Sequence, residues 1–189
     1  MKKNVMVLLV VLSMLLMPLG AVAAEGTMSV PDSQRVRNSL ELRNRAMEVY
    51  NAAEWAQMEQ LMQEIRQRYE DMKPISPANI VSQNTVFKFD TPPVIKEGRT
   101  LIPIRALTVA FGADVDWDPI ERTVTVEKDG TIIVLDLDEE TAMVDGESIE
   151  LDTKPEIVNQ RTLVPFRFIL ETLGYGICYD NETGVTEII

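Results

Sequence analysis

Four arginines stand at matching positions in two stretches of the second half of the chain. Arg99 and Arg105 enclose the residues Thr-Leu-Ile-Pro-Ile, while Arg161 and Arg167 enclose Thr-Leu-Val-Pro-Phe. Arg105 and Arg167 each follow a proline that suits a first helical turn, where the helix dipole disfavours a positive charge. A guanidinium placed there needs a carboxylate or carbonyl partner. We therefore interpret all four arginines as structural ion-pair or clamp residues, with contact to an anion or a glycan as the alternative.

Two aromatic residues, Trp117 and Tyr179, also stand at matching positions, each followed by an aspartate. Large rings in an alternating pattern favour a place in the core, so we expect both to be core anchors. An exposed role in stacking on sugars is the alternative. Strand alternation turns Cys178 outward, where a lone thiol either pairs between molecules or requires a reducing habitat. A half-buried, inert thiol fits equally well.

The stretch Asp114-x-Asp116-x-Asp118 places carboxylates at alternate positions, as in the opening of a calcium loop, because Ca²⁺ prefers hard oxygen ligands. Pro119 then occupies the position where such a loop requires glycine, and Thr125 that of its closing glutamate. We therefore predict no metal site, although a calcium-dependent adhesion or matrix protein stays an alternative. A second acidic cluster is interpreted as a solvated loop and comprises Asp136, Asp138, Glu139 and Glu140.

The composition excludes several classes of enzyme. The 189 residues include no histidine and one cysteine, so a histidine-based triad, a histidine-ligated metal, an internal disulfide and a thiolate cluster are all impossible within one chain. A phosphate-binding loop, a dinucleotide fingerprint and a Gly-x-Ser-x-Gly motif are also missing. We expect no enzymatic activity and no cofactor. A carboxylate-based hydrolase of wall polysaccharide is the alternative, because paired carboxylates are abundant.

The net charge limits the partners. Lysine and arginine number 18 against 30 acidic residues, which gives a formal charge of −12 at pH 7. Nucleic acids and anionic membranes are bound through basic patches, so neither is an expected partner. Residues 74–189 hold nine basic and 21 acidic residues, so nearly all of the excess acidity lies in the second half of the chain.

Residues 1–24 have the parts of a secretory signal peptide. Lys2 and Lys3 form a positive start, an apolar run covers positions 5–17, and small residues suit cleavage at the end. The run is too short to span a membrane, which needs about 20 residues. We expect a secreted protein, extracellular or cell-wall associated, with no membrane span after cleavage; an uncleaved N-terminal anchor is the alternative. Residues 25–31 are predicted to be a linker.

Residues 32–73 contain no glycine or proline and lie between Pro31 and Pro74, which is typical of a helical segment with sharp ends. We predict a long amphipathic helix or a helical hairpin. This segment either packs on or spaces the rest of the chain, or it self-associates as a coiled coil. Residues 74–84 are predicted to be a linker by composition. The apolar residues at helical spacing are Val36, Leu40, Met47, Tyr50, Met58, Leu61, Ile65 and Met72.

An internal repeat occupies the second half of the chain. An offset of 62 aligns residues 87–127 with 149–189 without a gap, and eleven of 41 positions are identical. Each copy is interpreted as two short strands, a short helix between a proline and a glycine, and further strands joined by tight turns. The residues on which this interpretation depends are Phe87, Phe89, Pro103, Gly112, Asp129, Gly130, Asp145, Gly146, Ile149, Leu151, Pro165 and Gly174.

These elements predict an α+β fold. We expect a mainly antiparallel sheet with two short helices from a tandem ββαβ-type repeat, preceded by the long helical segment. Parallel sheets need crossover connections, whereas the tight turns of this chain join antiparallel strands.

The duplicated pattern Arg-Thr-Leu-(Ile/Val)-Pro-(Ile/Phe)-Arg, followed by Gly and an aromatic-Asp pair, resembles the copper amine oxidase N-terminal-like domain, also called the stalk domain of secreted bacterial proteins. The resemblance covers residues 85–189. It implies an accessory or stalk module without catalytic residues. Because the oxidase's copper ligands are histidines of another domain, it also implies that this chain is no amine oxidase. The second copy departs from the pattern at Gln160, where the first has Gly98.

Together these features predict a secreted, non-enzymatic cell-surface or envelope protein whose acidic stalk-like domain is a binding or structural module. The expected partner is a cell-wall component or an envelope protein, or a second copy joined through residues 32–73. The residues predicted to have structural or binding roles are Arg99, Arg105, Arg161, Arg167, Trp117 and Tyr179.

Overall fold

The computed structural model describes residues 30–189, so the predicted signal peptide over 1–24 and nearly all of the predicted linker over 25–31 lie outside it. The described residues form an α+β fold with four α-helices and mostly antiparallel sheets, which confirms the predicted class. None of these helices has the length and apolar content needed to cross a membrane. The chain divides into two units, 1–33 and 34–189, and the packing described below is that of residues 34–189.

Two helices, rather than one, occupy most of the segment 32–73. Helix α1 spans Val30–Glu48 and α2 spans Ala52–Arg68. The break has a local cause, a capping box at the start of α2. The Asn51 side chain accepts hydrogen bonds from two backbone N–H groups of the first turn, and the Glu54 side chain accepts one from the Asn51 N–H. A single continuous helix is therefore not formed.

The chain enters the sheets earlier than the sequence indicates. Strand β1 (Met72–Pro74) includes Met72, which its spacing had assigned to the helical stripe. A 3₁₀ turn (Pro77–Asn79) and strand β2 (Ile80–Ser82) follow. Because β2 is buried and pairs with the C-terminal strand, the stretch predicted as a linker over 74–84 is part of the packed fold.

Eleven further strands and two short helices complete the described fold. In chain order they are β3 (Val94–Lys96), β4 (Arg99–Pro103), α3 (Arg105–Phe111), β5 (Asp114–Asp118), β6 (Thr123–Lys128), β7 (Thr131–Asp136), β8 (Thr141–Val144), β9 (Glu147–Glu150), β10 (Glu156–Val158), β11 (Arg161–Pro165), α4 (Phe166–Thr172), β12 (Ile177–Asp180) and β13 (Val185–Ile188). Two sheets have five strands, in the orders β1-β3-β4-β11-β10 and β5-β6-β7-β8-β9, and the third has the order β12-β13-β2. Within these sheets β13 and β2 run parallel and every other pairing is antiparallel.

Elements of the two halves correspond at the same offset that aligns the two sequence copies. The pairs are β3 with β10, β4 with β11, β5 with β12 and β6 with β13. At the centre of the first sheet β4 lies antiparallel to β11, and Ile102 pairs with Val164, its counterpart in the second copy. On either side of this central pair the partners are exchanged, since Leu101 pairs with Pro165 and Pro103 pairs with Leu163.

Two local predictions differ from the structure. Phe87 and Phe89 are buried as expected, but the chain around them forms no strand, because the Phe89 N–H donates to the phenol oxygen of Tyr50 at 2.7 Å rather than to a neighbouring strand. Pro103 and Pro165 do not lie in the first helical turn; each is the last residue of a strand, and Pro165 is also the N-cap residue of α4.

Both helices of this segment pack on the sheets, α1 through Leu42 and Ala46 and α2 through the side chains that follow. Met58 is buried in the main core, and Ile65 is fully buried in a second core cluster. Burying a side chain the size of Ile65 contributes about 1.5–3 kcal/mol. The partners of Ile65 in that cluster come from five strands and comprise Met72, Val94, Leu101, Val158 and Leu163. The apolar stripe of α2 is therefore used within the chain itself.

Candidate functional site

Arg99 and Arg161 each form an ion pair with an aspartate of the other half. Nε of Arg161 donates to Oδ2 of Asp90 at 2.6 Å, and Nε of Arg99 lies 2.7 Å from Oδ2 of Asp152. Asp90 and Asp152 occupy equivalent positions of the two sequence copies, as do Arg99 and Arg161. In each ion pair the arginine of one half binds the aspartate of the other half. Each of these arginines thus has a carboxylate partner.

Arg161 also borders an open cleft of about 590 Å³. Strand β5, helix α3 and the β10–β11 turn supply its walls. The cleft brings together three of the six residues singled out in the sequence, namely Arg105, Arg161 and Trp117. Three further lining residues are exposed and therefore available to a ligand, namely Val109, Ile157 and Gln160.

Trp117 supplies an aromatic surface to this cleft. It lies on β5, which is the edge strand of its sheet and pairs with β6 alone within the described residues. With neighbours on one side only, the Trp117 side chain remains 38% exposed. Tyr179 on β12, also an edge strand, is 54% exposed. The expectation that both rings anchor the core is therefore wrong.

Helix α3 presents one polar and one apolar side chain to the cleft. Its first residue, Arg105, is exposed between the buried Ile104 and Ala106. Val109 follows four residues later, on the same helix face, and is 79% exposed. The fully buried Leu107 fixes the helix on the sheets, so both exposed side chains are held at defined positions.

The aspartates of β5 face away from Trp117. Asp114, Asp116 and Asp118 are exposed and alternate with the residues that line the cleft, as strand geometry predicts. Oδ1 of Asp118 accepts hydrogen bonds from the N–H groups of Ile120 and Glu121 at 2.8 and 3.1 Å, so this carboxylate shapes the turn to β6. Within residues 30–189 no three acidic or cysteine side chains cluster as metal ligands.

A family model described as the copper amine oxidase N-terminal domain matches residues 80–188, which is more than half of the chain. The chain belongs to the copper amine oxidase N-terminal domain family. The resemblance inferred for residues 85–189 is thereby confirmed. In the oxidases this domain is a non-catalytic accessory domain. Comparison with curated proteins gave no match.

The second half of the copper amine oxidase N-terminal domain does not repeat the chemistry of the cleft. Arg167, the equivalent of Arg105, is exposed on α4 and forms no ion pair within residues 30–189. The equivalent of Val109 is Glu171, which replaces an apolar side chain by a charge. Neither Arg167 nor Tyr179 belongs to the cleft.

The aromatic-Asp element of the domain has a structural explanation in both halves. Oδ1 of Asp180, the equivalent of Asp118, accepts hydrogen bonds from the N–H groups of Glu182 and Thr183 at 2.9 and 3.2 Å. Burial acts to raise the pKa of Asp180, but these hydrogen bonds outweigh it and hold the pKa below its ordinary value. Both aspartates therefore close the turn of an edge hairpin.

Cys178 is half-buried on β12, next to helix α1. A terminal nitrogen of Arg35 donates a hydrogen bond to its Sγ. The outward position expected from strand alternation is therefore covered in part by the helix.

Three residues of the cleft were not singled out as binding residues in the sequence. Val109 and Ile157 have the spacing of ordinary core positions and give no local signal of exposure. Gln160 does give a local signal, because it stands where the first half has Gly98 at a turn position. That departure from the repeat was visible, but only the structure shows that it faces a cleft.

Proposed function

We propose that this protein is a secreted, non-enzymatic envelope protein in which the copper amine oxidase N-terminal domain is an accessory binding module. The cleft beside Trp117 is its binding site, and a cell-wall or envelope component is its partner. The signal-like sequence over 1–24 supports export, and the family supports an accessory role.

The observation that carries this proposal is the lining of the cleft. An exposed aromatic ring, apolar side chains and a few convergent polar groups are typical of small-molecule and glycan sites. Hydrolysis of a glycoside requires two carboxylates beside the bound sugar. Within residues 30–189 no aspartate or glutamate lines the cleft, so its chemistry favours binding over the hydrolase alternative.

We further propose that the module is a tandem duplication of one ββαβ-type unit. We also propose that the helical segment stabilises this module by packing on it. The elements that match at the offset of the two sequence copies, together with the exchanged ion pairs, support the duplication. The burial of Met58 and Ile65 in the cores supports a packing role for the helical segment, because a coiled coil would need those side chains at the interface between its helices.

Co-sedimentation with the envelope fraction of the producing cells tests the proposal. The protein should sediment with the envelope, and Trp117→Ala should reduce the bound fraction at least tenfold. Tyr179→Ala is the matched control, since it removes an exposed ring outside the cleft. Equal sedimentation of the two variants, or none by the parent protein, would refute the cleft as the binding site.

A further inference from the structure

Gln160 shares the left-handed backbone conformation of its counterparts in other tight turns but differs from them in residue type. Four tight turns within residues 30–189 have two successive residues with positive φ, at 97–98, 129–130, 145–146 and 159–160. In the first three the second residue is glycine, with φ between 77° and 89°. In the fourth it is Gln160, with φ 63°. An L-residue in this left-handed region is strained, so glycine would suit the position better.

A glutamine at a strained position that favours glycine, beside a cleft, points to a role for the Gln160 side chain in that cleft. Gln160 is exposed and lines the cleft, and its amide can both donate and accept hydrogen bonds. The equivalent Gly98 does not line this cleft, and a Cβ added there would meet no atom within 4 Å. Space alone therefore does not explain why one turn carries glycine and the other glutamine.

The apolar part of the cleft suits a sugar that carries methyl groups. The exposed ring of Trp117 offers a flat surface to the C–H face of a pyranose. Val109 and Ile157 are 79% and 42% exposed at the same cleft, and both are aliphatic. Aliphatic contacts of this kind fit the methyl of an acetamido group, while the Gln160 amide can pair with its N–H and C=O.

The charges favour a neutral ligand. Nε of Arg161 already donates to Asp90, so its charge is balanced within the protein. The formal net charge of −12 repels polyanions at long range. A guanidinium has five N–H donors, so Arg161 can still donate to uncharged hydroxyl and carbonyl oxygens.

We propose that the cleft binds a neutral, N-acetylated saccharide, with Trp117 as the stacking surface and Gln160 as the partner of the acetamido group. This inference rests on the proposed function, since it names the ligand class of the same site.

Calorimetric titration of the protein with tri-N-acetylchitotriose tests the ligand class. Cellotriose is the matched control, because it replaces each acetamido group by a hydroxyl. The N-acetylated trisaccharide should bind with a Kd of about 1 mM or tighter, and at least tenfold more tightly than cellotriose. Equal affinity for the two sugars would overturn the role of the acetamido group.

Two reciprocal substitutions separate binding from folding. Gln160→Gly should weaken binding at least tenfold while the midpoint of thermal unfolding stays the same or rises. Gly98→Gln should lower that midpoint and leave binding unchanged, since it places the same side chain in the equivalent turn, away from the cleft. Unchanged binding by Gln160→Gly would contradict the assignment of this residue.

The sedimentation and titration experiments fail independently. Envelope binding that depends on Trp117, together with no binding of the N-acetylated sugar, overturns the ligand class and leaves the proposed function standing. If the protein neither sediments with the envelope nor binds the N-acetylated sugar, the proposed function and the ligand class are both overturned.

Discussion

Arg161 joins two stretches of chain 71 residues apart by donating a hydrogen bond from Nε to Oδ2 of Asp90 at 2.6 Å. The same contact is made in the opposite direction by Arg99 and Asp152. Each arginine begins a central strand of the first sheet, and each aspartate precedes the neighbouring hairpin. The two ion pairs therefore tie each half to the other and place Arg161 at the border of the cleft.

Removing the charge of either aspartate should have a small effect on stability. We expect Asp90→Asn and Asp152→Asn each to lower the free energy of unfolding by at most about 1 kcal/mol, because partly exposed ion pairs contribute little. Denaturant unfolding at low and at high salt measures this. The loss should shrink at about 1 M salt, where the Debye length is about 3 Å; an equal loss at both salt concentrations would contradict an electrostatic origin.

The contact between Tyr50 and Phe89 should matter more. The phenol oxygen accepts the buried N–H of Phe89 at 2.7 Å, so Tyr50→Phe leaves that donor without a partner. Such a buried, unpaired group costs about 1–3 kcal/mol. Tyr179→Phe is the control, because an exposed ring should change the free energy of unfolding by no more than about 0.5 kcal/mol. Similar losses for the two variants would show that the hydrogen bond is not responsible.

Tyr50 should also make stability depend on alkaline pH. Burial raises the pKa of Tyr50 to about 12 from its ordinary value of 10.0, and the nearby carboxylates of Glu54 and Asp90 act in the same direction. Because the folded pKa is the higher one, its stabilising contribution is complete below pH 10.0 and is lost as the pH rises towards about 12. Unfolding measured across this window should become easier for the parent protein, and less so for Tyr50→Phe.

Asp118 should act through the turn and not through a metal. Asp118→Ala removes the acceptor for two N–H groups, and we expect a loss of about 1 kcal/mol in the free energy of unfolding. Asp118→Asn keeps an acceptor oxygen at the same place and should retain most of the stability. If the asparagine variant were as unstable as the alanine variant, the charge rather than the turn would be the function of this residue.

Calcium should leave the protein unchanged. Within residues 30–189 no acidic side chains cluster as ligands, and Asp118 is engaged in its turn. The midpoint of thermal unfolding should be the same with chelator and with about 1 mM Ca²⁺, the concentration that fills extracellular calcium modules. A rise of the midpoint with Ca²⁺ would restore the alternative of a calcium-dependent adhesion protein.

The sequence by itself determined the α+β class, the family and two of the tight turns, at 129–130 and 145–146. Asp129 with Gly130 and Asp145 with Gly146 predict two-residue hairpins, and both pairs have positive φ in the structure. These two turns are set by the backbone preferences of adjacent residues. A local pattern is therefore sufficient to predict them.

The tertiary structure alone decided that Trp117 and Tyr179 are exposed and which distant residues meet. The ring of Trp117 is open because β5 lies at the edge of its sheet, and sheet order depends on residues far along the chain. Phe89 finds its hydrogen-bond partner in Tyr50, and Arg161 finds Asp90 71 positions away. Burial and pairing over such distances follow from packing, which no window of neighbouring residues contains.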